Sequence, residues 1–331
     1  YTLGGRPFAF AAPPRALPPQ GITIAALGDM GTTAQSRAAL QAIQGLAPDL
    51  ILHAGDISYA EGDPVAWKSW FDLVEPVAAT RPWVVALGNH ETYTAAVASA
   101  GAASPEIALF RQRFGLPGNE LYYSFDWAGV HVVALDTFSG DAASVEAPIA
   151  ADEVAWLEGD LAAHRDAPWT IAVLHEPAYS SNAFHGSSAR VQQALVPVLE
   201  EGGVDLVIQA HDHAYERSLP LSGGAPAEDG VVYVTTGGGG ESLYTQWQEP
   251  SPTWSAVHAA VYHVLEIHVT TDVLEGRVVP TAGDAFADAF RIVHATSTPE
   301  PGPPRASPAP DAAVPLAVAA LALLVLRRRR A

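Results

Sequence analysis

The sequence has no cysteine and very little positive charge. Without cysteine, the chain of 331 residues has no disulfide bond, no thiolate metal site and no cysteine nucleophile. It carries 17 basic residues against 36 acidic ones, for a net charge of −19, and its only lysine is Lys68. So acidic a chain argues against a nucleic-acid partner, because a phosphate backbone has to be neutralised by cationic side chains. A small phosphorylated substrate remains compatible with the sequence if its site supplies its own positive charge.

Long apolar runs are also scarce. The alanine- and leucine-rich run 312–326 is shorter than the roughly 20 residues of a typical membrane span. It follows a proline-rich linker at 297–311 and is closed by the cluster Arg327–Arg330. This order predicts a C-terminal membrane anchor or sorting tail, 312–331, with the arginines in the cytoplasm and the preceding chain outside. The alternative is a C-terminal helix packed on the domain. Because the chain starts at Tyr1 with neither a methionine nor a leader, we expect either a removed signal peptide or a fragment.

What the sequence does contain is a series of short apolar runs, several of them rich in β-branched residues, that recur from Ile22 onward. Such continuous runs are typical of strands buried on both faces of a sheet. Amphipathic patterns between several of them predict helices at 33–46, 152–165 and 190–203. The alternation of strand and helix predicts an α/β fold. Later segments are typical of antiparallel strands, at 121–137, 230–240 and 260–270, with a closing hairpin at 272–294.

Five of the apolar runs end in, or just before, side chains with oxygen or nitrogen donors. These side chains are Asp29, Asp56, Asn89, His175 and the pair His211 and His213, with Tyr59 on the same loop as Asp56. Some of the motifs alone have a plain structural explanation, since Gly-Asp turns are common and His-x-His occurs within strands. GNHE (88–91) is more unusual, because nothing structural calls for Asn, His and Glu together after a buried strand. Because sites assemble at the carboxyl ends of strands in α/β sheets, we expect the donors to meet at one edge of five neighbouring strands.

The donor set predicts a metal centre. Seven ligand side chains are too many for one catalytic ion with an open position, so two ions that share one bridging carboxylate fit better. Carboxylate and imidazole donors without sulfur suit iron, zinc or manganese. Two such ions, about 3.5–4 Å apart, generate a hydroxide nucleophile and hold a phosphoryl group between them. They would also supply the positive charge that the rest of the chain lacks.

The ordered set GDMG, GDISYA, GNHE, VLHEPAY and AHDHAYERS resembles the calcineurin-like metallophosphoesterases, and within them the purple acid phosphatases. Over residues 21–296 the resemblance implies an α/β fold with a two-sheet β-sandwich flanked by helices. The layers are α/β/β/α, and the metal site lies at the carboxyl ends of the strands. The entry segment 1–20 resembles the end of a fibronectin-III-like domain that precedes the catalytic domain in larger members. One departure is Ala210, where the last motif of the family usually has glycine.

The resemblance also implies a ligand set. The residues that would hold iron(III) are Asp29, Asp56, Tyr59 and His213, with Asp56 as the bridge. Those that would hold the second, divalent ion (iron, zinc or manganese) are Asn89, His175 and His211. Tyr59 marks the purple subgroup, because a phenolate stabilises ferric over ferrous iron and its charge transfer gives the colour.

Further residues are implied to support the chemistry. His90 and His185 would lie beside the phosphate, where either would protonate the leaving alkoxide; the alternative for His185 is a plain loop histidine. Residues that would orient the ligands are Glu91, Tyr215, Glu216 and Arg217. By contrast, the histidines within apolar strands have the character of core or sheet-face side chains: His53, His131, His263 and His268.

The expected function is therefore hydrolysis of phosphate monoesters by a metal-bound hydroxide, at the extracellular or periplasmic face of a membrane. One alternative keeps the metal site and changes the substrate to phosphodiesters such as nucleotides or phospholipid headgroups. Another is a non-catalytic surface binding protein with a vestigial site. An intracellular protein phosphatase is disfavoured by Tyr59 and by the anchor-like tail.

Overall fold

Two β-sheets and six helices account for most of the chain that the computed structural model describes, which is residues 2–3, 6–9, 11–92, 105–138, 148–283 and 285–294. The helices are α1 (Ala34–Leu46), α2 (Pro64–Ala78), α3 (Pro105–Arg113), α4 (Ala151–Ala163), α5 (Ala189–Ala194) and α6 (Val196–Glu201), with a 3-10 turn at Asn89–Glu91. The strands are β1 (Thr2–Leu3), β2 (Arg6–Pro7), β3 (Ile22–Leu27), β4 (Leu50–His53), β5 (Trp83–Val85), β6 (Tyr123–Trp127), β7 (Val130–Ala134), β8 (Trp169–Val173), β9 (Leu206–Gln209), β10 (Tyr215–Ser218), β11 (Leu221–Ser222), β12 (Ala225–Pro226), β13 (Val232–Thr236), β14 (Ser255–Ala259), β15 (His263–Val269), β16 (Leu274–Pro280) and β17 (Ala289–Ile292).

Both large sheets are mixed. The six-stranded sheet has the order β17-β16-β15-β3-β4-β5, in which β3, β4 and β5 are parallel and the other pairs are antiparallel. The seven-stranded sheet has the order β14-β10-β13-β9-β8-β7-β6, with β13, β9, β8 and β7 parallel. The parallel strands lie in the middle of the seven-stranded sheet, whereas in the six-stranded sheet they extend from the middle to the edge strand β5.

The main core lies between the two sheets. Ile24 and Leu52 from the first sheet belong to the same buried apolar cluster as Val132 and Ile171 from the second. A second cluster packs α1, α2 and α3 on the outer face of the first sheet, and a third packs α4, α5 and α6 on the outer face of the second. The layers are helix, sheet, sheet and helix, so the predicted α/β/β/α arrangement is confirmed.

Local predictions hold for most elements and fail at two. Helix α1 begins after Thr33, whose hydroxyl caps the backbone N–H of Ser36. The helix predicted at 190–203 is instead two short helices that meet at Leu195, because Pro197 has no N–H to continue the ladder. The expectation of antiparallel pairing for 230–240 is wrong on one side, since β13 runs antiparallel to β10 but parallel to β9.

The linker predicted at 297–311 and the tail predicted at 312–331 lie outside the described residues. In the parts of the chain that are described, no helix combines the length and the apolar character that crossing a bilayer requires. The entry segment 1–20 contributes the β1–β2 pair, and its Leu17 packs against the core between the sheets. Its origin in a fibronectin-III-like domain stays a prediction, as do the domain boundaries.

A histidine between two carboxylates ties the β6–β7 hairpin to α4. His131, buried in β7, lies with its Nδ1 2.9 Å from Asp126 and its Nε2 2.8 Å from Asp160, and its ring stacks on His164 at 3.9 Å. Although burial disfavours the charged ring, hydrogen bonds to the two carboxylates raise the pKa of His131 to about 9. The protonated ring donates to both carboxylates at once, so its charge stabilises the folded state.

This pair of contacts predicts a pH-dependent stability. Because the folded-state pKa of about 9 lies above the ordinary histidine value of 6.5, the stabilisation is fully present below pH 6.5 and is lost as the pH rises through about 9. The free energy of unfolding of the wild type, measured with denaturant, should therefore fall between pH 6 and pH 9.5. That of His131→Gln should fall less over the same range. Asp126→Asn should remove part of the same slope. Parallel pH profiles for wild type and His131→Gln would contradict the assignment.

Candidate metal centre and active site

The seven predicted metal ligands come together at one rim of the sandwich. Loops after β3, β4 and β5 carry Asp29, Asp56 with Tyr59, and Asn89, while loops after β8 and β9 carry His175, His211 and His213. All except Tyr59 are buried. The five strands belong to two sheets, which corrects the expectation of five neighbouring strands. The donors still meet, because the sheets pack face to face and their parallel strands end at the same rim.

One group of donors surrounds the phenol of Tyr59. Its Oη lies 3.1 Å from Asp29 Oδ1 and 2.9 Å from His213 Nε2. His213 Nε2 is in turn 3.4 Å from the same Asp29 oxygen. Three donor atoms from three separate loops therefore form a compact triangle.

A second group surrounds the ring of His175. Its Nε2 lies 3.3 Å from Asp56 Oδ2, 3.1 Å from Asn89 Oδ1 and 3.2 Å from His211 Nδ1. The ligand atoms of Asp56, His175 and His211 all lie within 4.8 Å of one another, which is the spacing that one ion needs. The two groups are joined through Asp29, whose Oδ2 accepts a hydrogen bond of 3.0 Å from the backbone N–H of His211.

The imidazole tautomers fit metal ligation. His175 Nδ1 lies 2.7 Å from the carbonyl oxygen of Ala54, and His213 Nδ1 lies 2.9 Å from that of Ser242. A carbonyl oxygen only accepts, so each Nδ1 donates and each neutral ring presents its Nε2 lone pair to the donor cluster. Carboxylate, amide and imidazole lone pairs then converge at about hydrogen-bond distance around few donors, one of which is the Tyr59 hydroxyl that donates to Asp29 Oδ1. Such an arrangement is stable only around positive charge, so these residues fit a pair of cations.

The electrostatics of the cluster agree with this fit. Although burial disfavours its charge, the Asp56 carboxylate raises the pKa of His175 to about 10. Burial likewise opposes the charge on His213, but the Asp29 carboxylate raises its pKa. Burial and the Asp29 charge also raise the pKa of the Tyr59 phenol, so a phenolate at this position needs a neighbouring cation. The cluster as a whole attracts positive charge.

Backbone strain is concentrated at the same residues. The φ angles of Asp29, Asp56 and Tyr59 are 55°, 52° and 52°, and that of His211 is 69°. Left-handed conformations of this kind cost about 1–2 kcal/mol for residues other than glycine. A bulky residue such as Tyr59 adopts them only when the surrounding structure enforces it. The four residues are therefore held in orientations that the chain would not choose locally.

Glu91 is the main support of two of these loops. Its carboxylate accepts hydrogen bonds from the backbone N–H groups of Asp56 at 2.9 Å, Ile57 at 2.8 Å and Gly88 at 3.0 Å. Burial, followed by the Asp56 charge, raises the pKa of Glu91 to about 8. Three backbone donors on one buried side chain hold the Asp56 loop against the Asn89 loop.

The other three predicted supporting residues divide between two faces of β10. Glu216 accepts hydrogen bonds from Ser181 N at 2.7 Å and from the hydroxyls of Ser181 and Ser255, so it holds the loop that leads to His185. The side chains of Tyr215 and Arg217 point to the opposite face, where both donate to Asp288. These two residues fasten β10 to the segment before β17, and their hydrogen bonds do not reach a predicted ligand.

His90 and His185 both lie at the rim of the site. The ring of His90 is 4.2 Å from that of Tyr59, and its Nδ1 is 2.8 Å from the Glu61 carboxylate. The exposed ring of His185 stacks on His211, with 3.8 Å between centroids. Each predicted substrate-side histidine therefore covers a different part of the donor cluster.

Sequence reasoning missed several residues that shape the site. Glu61 comes two positions after Tyr59 on the same loop, a spacing that could have suggested it. Asp212 points away from the cluster and accepts hydrogen bonds from the backbone N–H groups of His185 and Gly186. Tyr244 stacks on His213 at 4.2 Å and 9°, and no local pattern marks it.

The alanine that departs from the family pattern is accommodated by a glycine. A Cβ at Gly28 would lie 2.4 Å from the methyl of Ala210, so the two loops fit only because one of the two residues lacks a side chain. Gly237 has a similar role, since a Cβ there would lie 2.7 Å from Asp29 Oδ2. Close backbone packing at Gly28 and Gly237 therefore fixes the loops that carry the donors.

A sequence model of calcineurin-like phosphoesterases matches residues 22–215 of the chain, from β3 through the start of β10. The chain belongs to the calcineurin-like phosphoesterase family. The matched region contains all seven predicted ligands of this phosphoesterase and both rim histidines.

The chain is similar to relatives, and to a solved structure, that are named purple acid phosphatases. It is 34% identical to purple acid phosphatase 18 of Arabidopsis thaliana over 275 residues, which cover 79% of this chain and 60% of the relative. It is 30% identical to Fe(3+)-Zn(2+) purple acid phosphatase 12 of the same plant over 297 residues, or 79% of this chain and 61% of the relative. The chain thus spans about 60% of the length of these curated relatives. Its fold matches that of a purple acid phosphatase from yellow lupin seeds with a TM-score of 0.73, at 23% identity over 86% of this chain and 56% of that one.

Replacing Glu91 tests the support of the two loops. In Glu91→Gln the amide group turns N–H groups toward backbone donors, and each unsatisfied buried polar group costs about 1–3 kcal/mol. We expect the thermal unfolding midpoint to fall by several degrees and the metal content per chain to fall with it. The exposed Glu158→Gln on α4 is the matched control. Wild-type stability and metal content in Glu91→Gln would show that the carboxylate does not hold the loops.

Proposed function

We propose that this phosphoesterase is a dinuclear metal enzyme of the purple acid phosphatase type that hydrolyses phosphate monoesters. The observation that carries the proposal is the convergence of buried carboxylate, amide and imidazole acceptors in two adjoining groups. Identity of 30–34% to proteins named purple acid phosphatases supports the choice of chemistry.

The two groups of donors support a division of the ligands between the two ions. The group around Tyr59, formed with Asp29 and His213, would hold iron(III), because a phenolate is a hard and strongly donating ligand. The group around His175, formed with Asn89 and His211, would hold the divalent ion, with Asp56 shared between the two. Zinc, iron or manganese would fit the second position, and one relative is named for an Fe(3+)-Zn(2+) pair.

Ions bound there would supply a nucleophile from water at neutral pH and neutralise charge on the phosphoryl group. The chain's own residues do the rest. Glu61 fixes the ring of His90 through Nδ1, and the Nε2 of the same ring lies 3.8 Å from Asp56 Oδ2 at the donor cluster, where it would deliver a proton to the leaving oxygen. Asp212 and Glu216 fix the backbone around His185, so that its ring stays over His211. Either rim histidine is in a position to protonate the leaving alkoxide.

The site also explains how an acidic protein binds a phosphate. Two cations at the rim would provide the attraction that a chain with net charge −19 otherwise lacks. The same net charge disfavours nucleic acid as a partner. We further propose that the enzyme acts on the extracellular or periplasmic side and is anchored by the tail 312–331; the order of linker, apolar run and arginines in the sequence supports the anchoring.

The direct test combines metal analysis, a visible spectrum and two assays on one aerobically purified sample. We expect two ions per chain, a charge-transfer band in the visible, and faster turnover of p-nitrophenyl phosphate than of bis-p-nitrophenyl phosphate. Tyr59→Phe should lose the band while its unfolding midpoint stays close to that of the wild type. Equal or faster diester turnover would replace the monoesterase by a phosphodiesterase. Less than one ion per chain with no hydrolysis would favour a non-catalytic binding protein.

The rim histidines can be tested separately from the metal centre. His90→Asn and His185→Asn should each lower kcat for an alkyl phosphate by about 10²-fold, the usual contribution of general acid catalysis, without lowering the metal content. His268→Asn on β15, away from the rim, serves as the control. If one of the two variants retains wild-type kcat, that histidine has no part in proton transfer.

A further inference from the structure

An aromatic side chain stands exposed beside the active-site rim. Phe184 is 67% exposed, and among the large apolar side chains that the described residues leave exposed it is the only aromatic one. The others are Val65, Leu219 and Val293. Leaving a phenyl ring in water forfeits the free energy that its burial would contribute. Its position next to His185 suggests that a ligand covers it.

The ring belongs to a continuous aromatic stack that reaches the metal centre. Phe184 stacks on Tyr244 with 4.4 Å between centroids and 28° between planes, and Tyr244 stacks on His213 at 4.2 Å. On its other side the ring meets His185 edge-on at 4.8 Å, and His185 lies on His211. Phe184 is therefore only one ring removed from each of the two donor groups.

Hydrogen bonds hold the backbone on both sides of Phe184. The N–H of Phe184 donates to the Asn182 side chain at 2.9 Å, and that of Ala183 donates to the Gln246 carbonyl at 2.9 Å. Asp212 holds the next residues, and an isolated bridge pairs Asn182 with Trp247. These contacts fix the backbone at Phe184, and the stack on Tyr244 positions its ring, so a ligand that stacks on it costs little conformational entropy of the protein.

We propose that Phe184, backed by Tyr244, is a specificity-determining residue that receives the aromatic leaving group of aryl phosphate esters. The proposal rests on the proposed phosphomonoesterase function. An aryl ring bonded directly to the ester oxygen lies one ring width from a phosphoryl group held at the donor cluster. That spacing suits stacked or edge-on aromatic pairs, whose centroids lie about 4.5–7 Å apart. The strongly negative chain also favours a monoester of low charge over a nucleoside polyphosphate.

The experiment compares an aryl with an alkyl ester in matched variants. Phe184→Leu keeps an apolar side chain and removes the aromatic face, and Val293→Ala, also exposed, is the control. We expect Phe184→Leu to lower kcat/KM for phenyl phosphate by about 2- to 10-fold, the range of one aromatic pair, with little change for β-glycerophosphate. Since each ratio is taken against wild type, the intrinsic reactivity of the two esters cancels.

A binding measurement separates this proposal from the hydrolytic one. Calorimetry with phenylphosphonate and methylphosphonate, which are not hydrolysed, should show a similar selective loss for the phenyl compound in Phe184→Leu. Equal changes for both ligands, or for both esters, would overturn the role of Phe184. An equal loss for adenosine monophosphate would overturn the restriction to aryl esters. If the wild type binds phenylphosphonate selectively but hydrolyses no ester, the proposed function fails while the aromatic subsite stands.

Discussion

Lone pairs that converge in a buried place demand positive charge, and much of the described structure at the rim serves to hold such lone pairs together. The Asp56 carboxylate faces Nε2 of His175 at 3.3 Å, and the Asp29 carboxylate faces Nε2 of His213 at 3.4 Å. Away from water, each of these groups has lost its hydration, and the free energy is recovered only through a cation or a proton. The upward shift in the pKa of His175 is the response of the protein alone to that demand.

Two sheets are needed to meet this constraint. Three loops come from the six-stranded sheet and two from the seven-stranded sheet, so no single sheet edge carries the centre. The apolar cluster between the sheets fixes their separation, and with it the distance between Asp56 on one and His175 on the other. Core packing therefore sets the geometry of the site, because a change in the spacing of the sheets would pull the donors apart.

The loops at the rim carry the strain that this convergence imposes. Left-handed backbone at four donor residues is unfavourable locally, and Glu91 supports one of them, Asp56, by accepting hydrogen bonds from the backbone N–H groups of Asp56, Ile57 and Gly88. Glycine at position 28 lets a neighbouring loop approach closely. Outside this ring lie the rim histidines and Tyr244, whose rings contact donor residues, with Phe184 one ring further out. In the proposed function the inner residues would decide which ions bind, and the outer ones would decide which esters fit.

The sequence alone located the side chains that the fold brings together at the rim, because each lies at the end of a continuous apolar strand or in the loop that follows, and both signals are local; their roles as metal ligands stay a prediction. The same holds for the capped helix α1 and for the β6–β7 hairpin. The assignment of those strands to two sheets, and the direction of β13 between β9 and β10, were not readable, since both depend on packing between segments far apart in the chain. Contacts across loops were equally hidden. Nothing near Tyr244 indicates that it stacks on His213, and nothing in the spacing of Tyr215, Glu216 and Arg217 shows that only the middle one faces the site. Alternation along a strand predicts that neighbours face opposite sides, but which side holds the site is decided only when the second sheet packs in place.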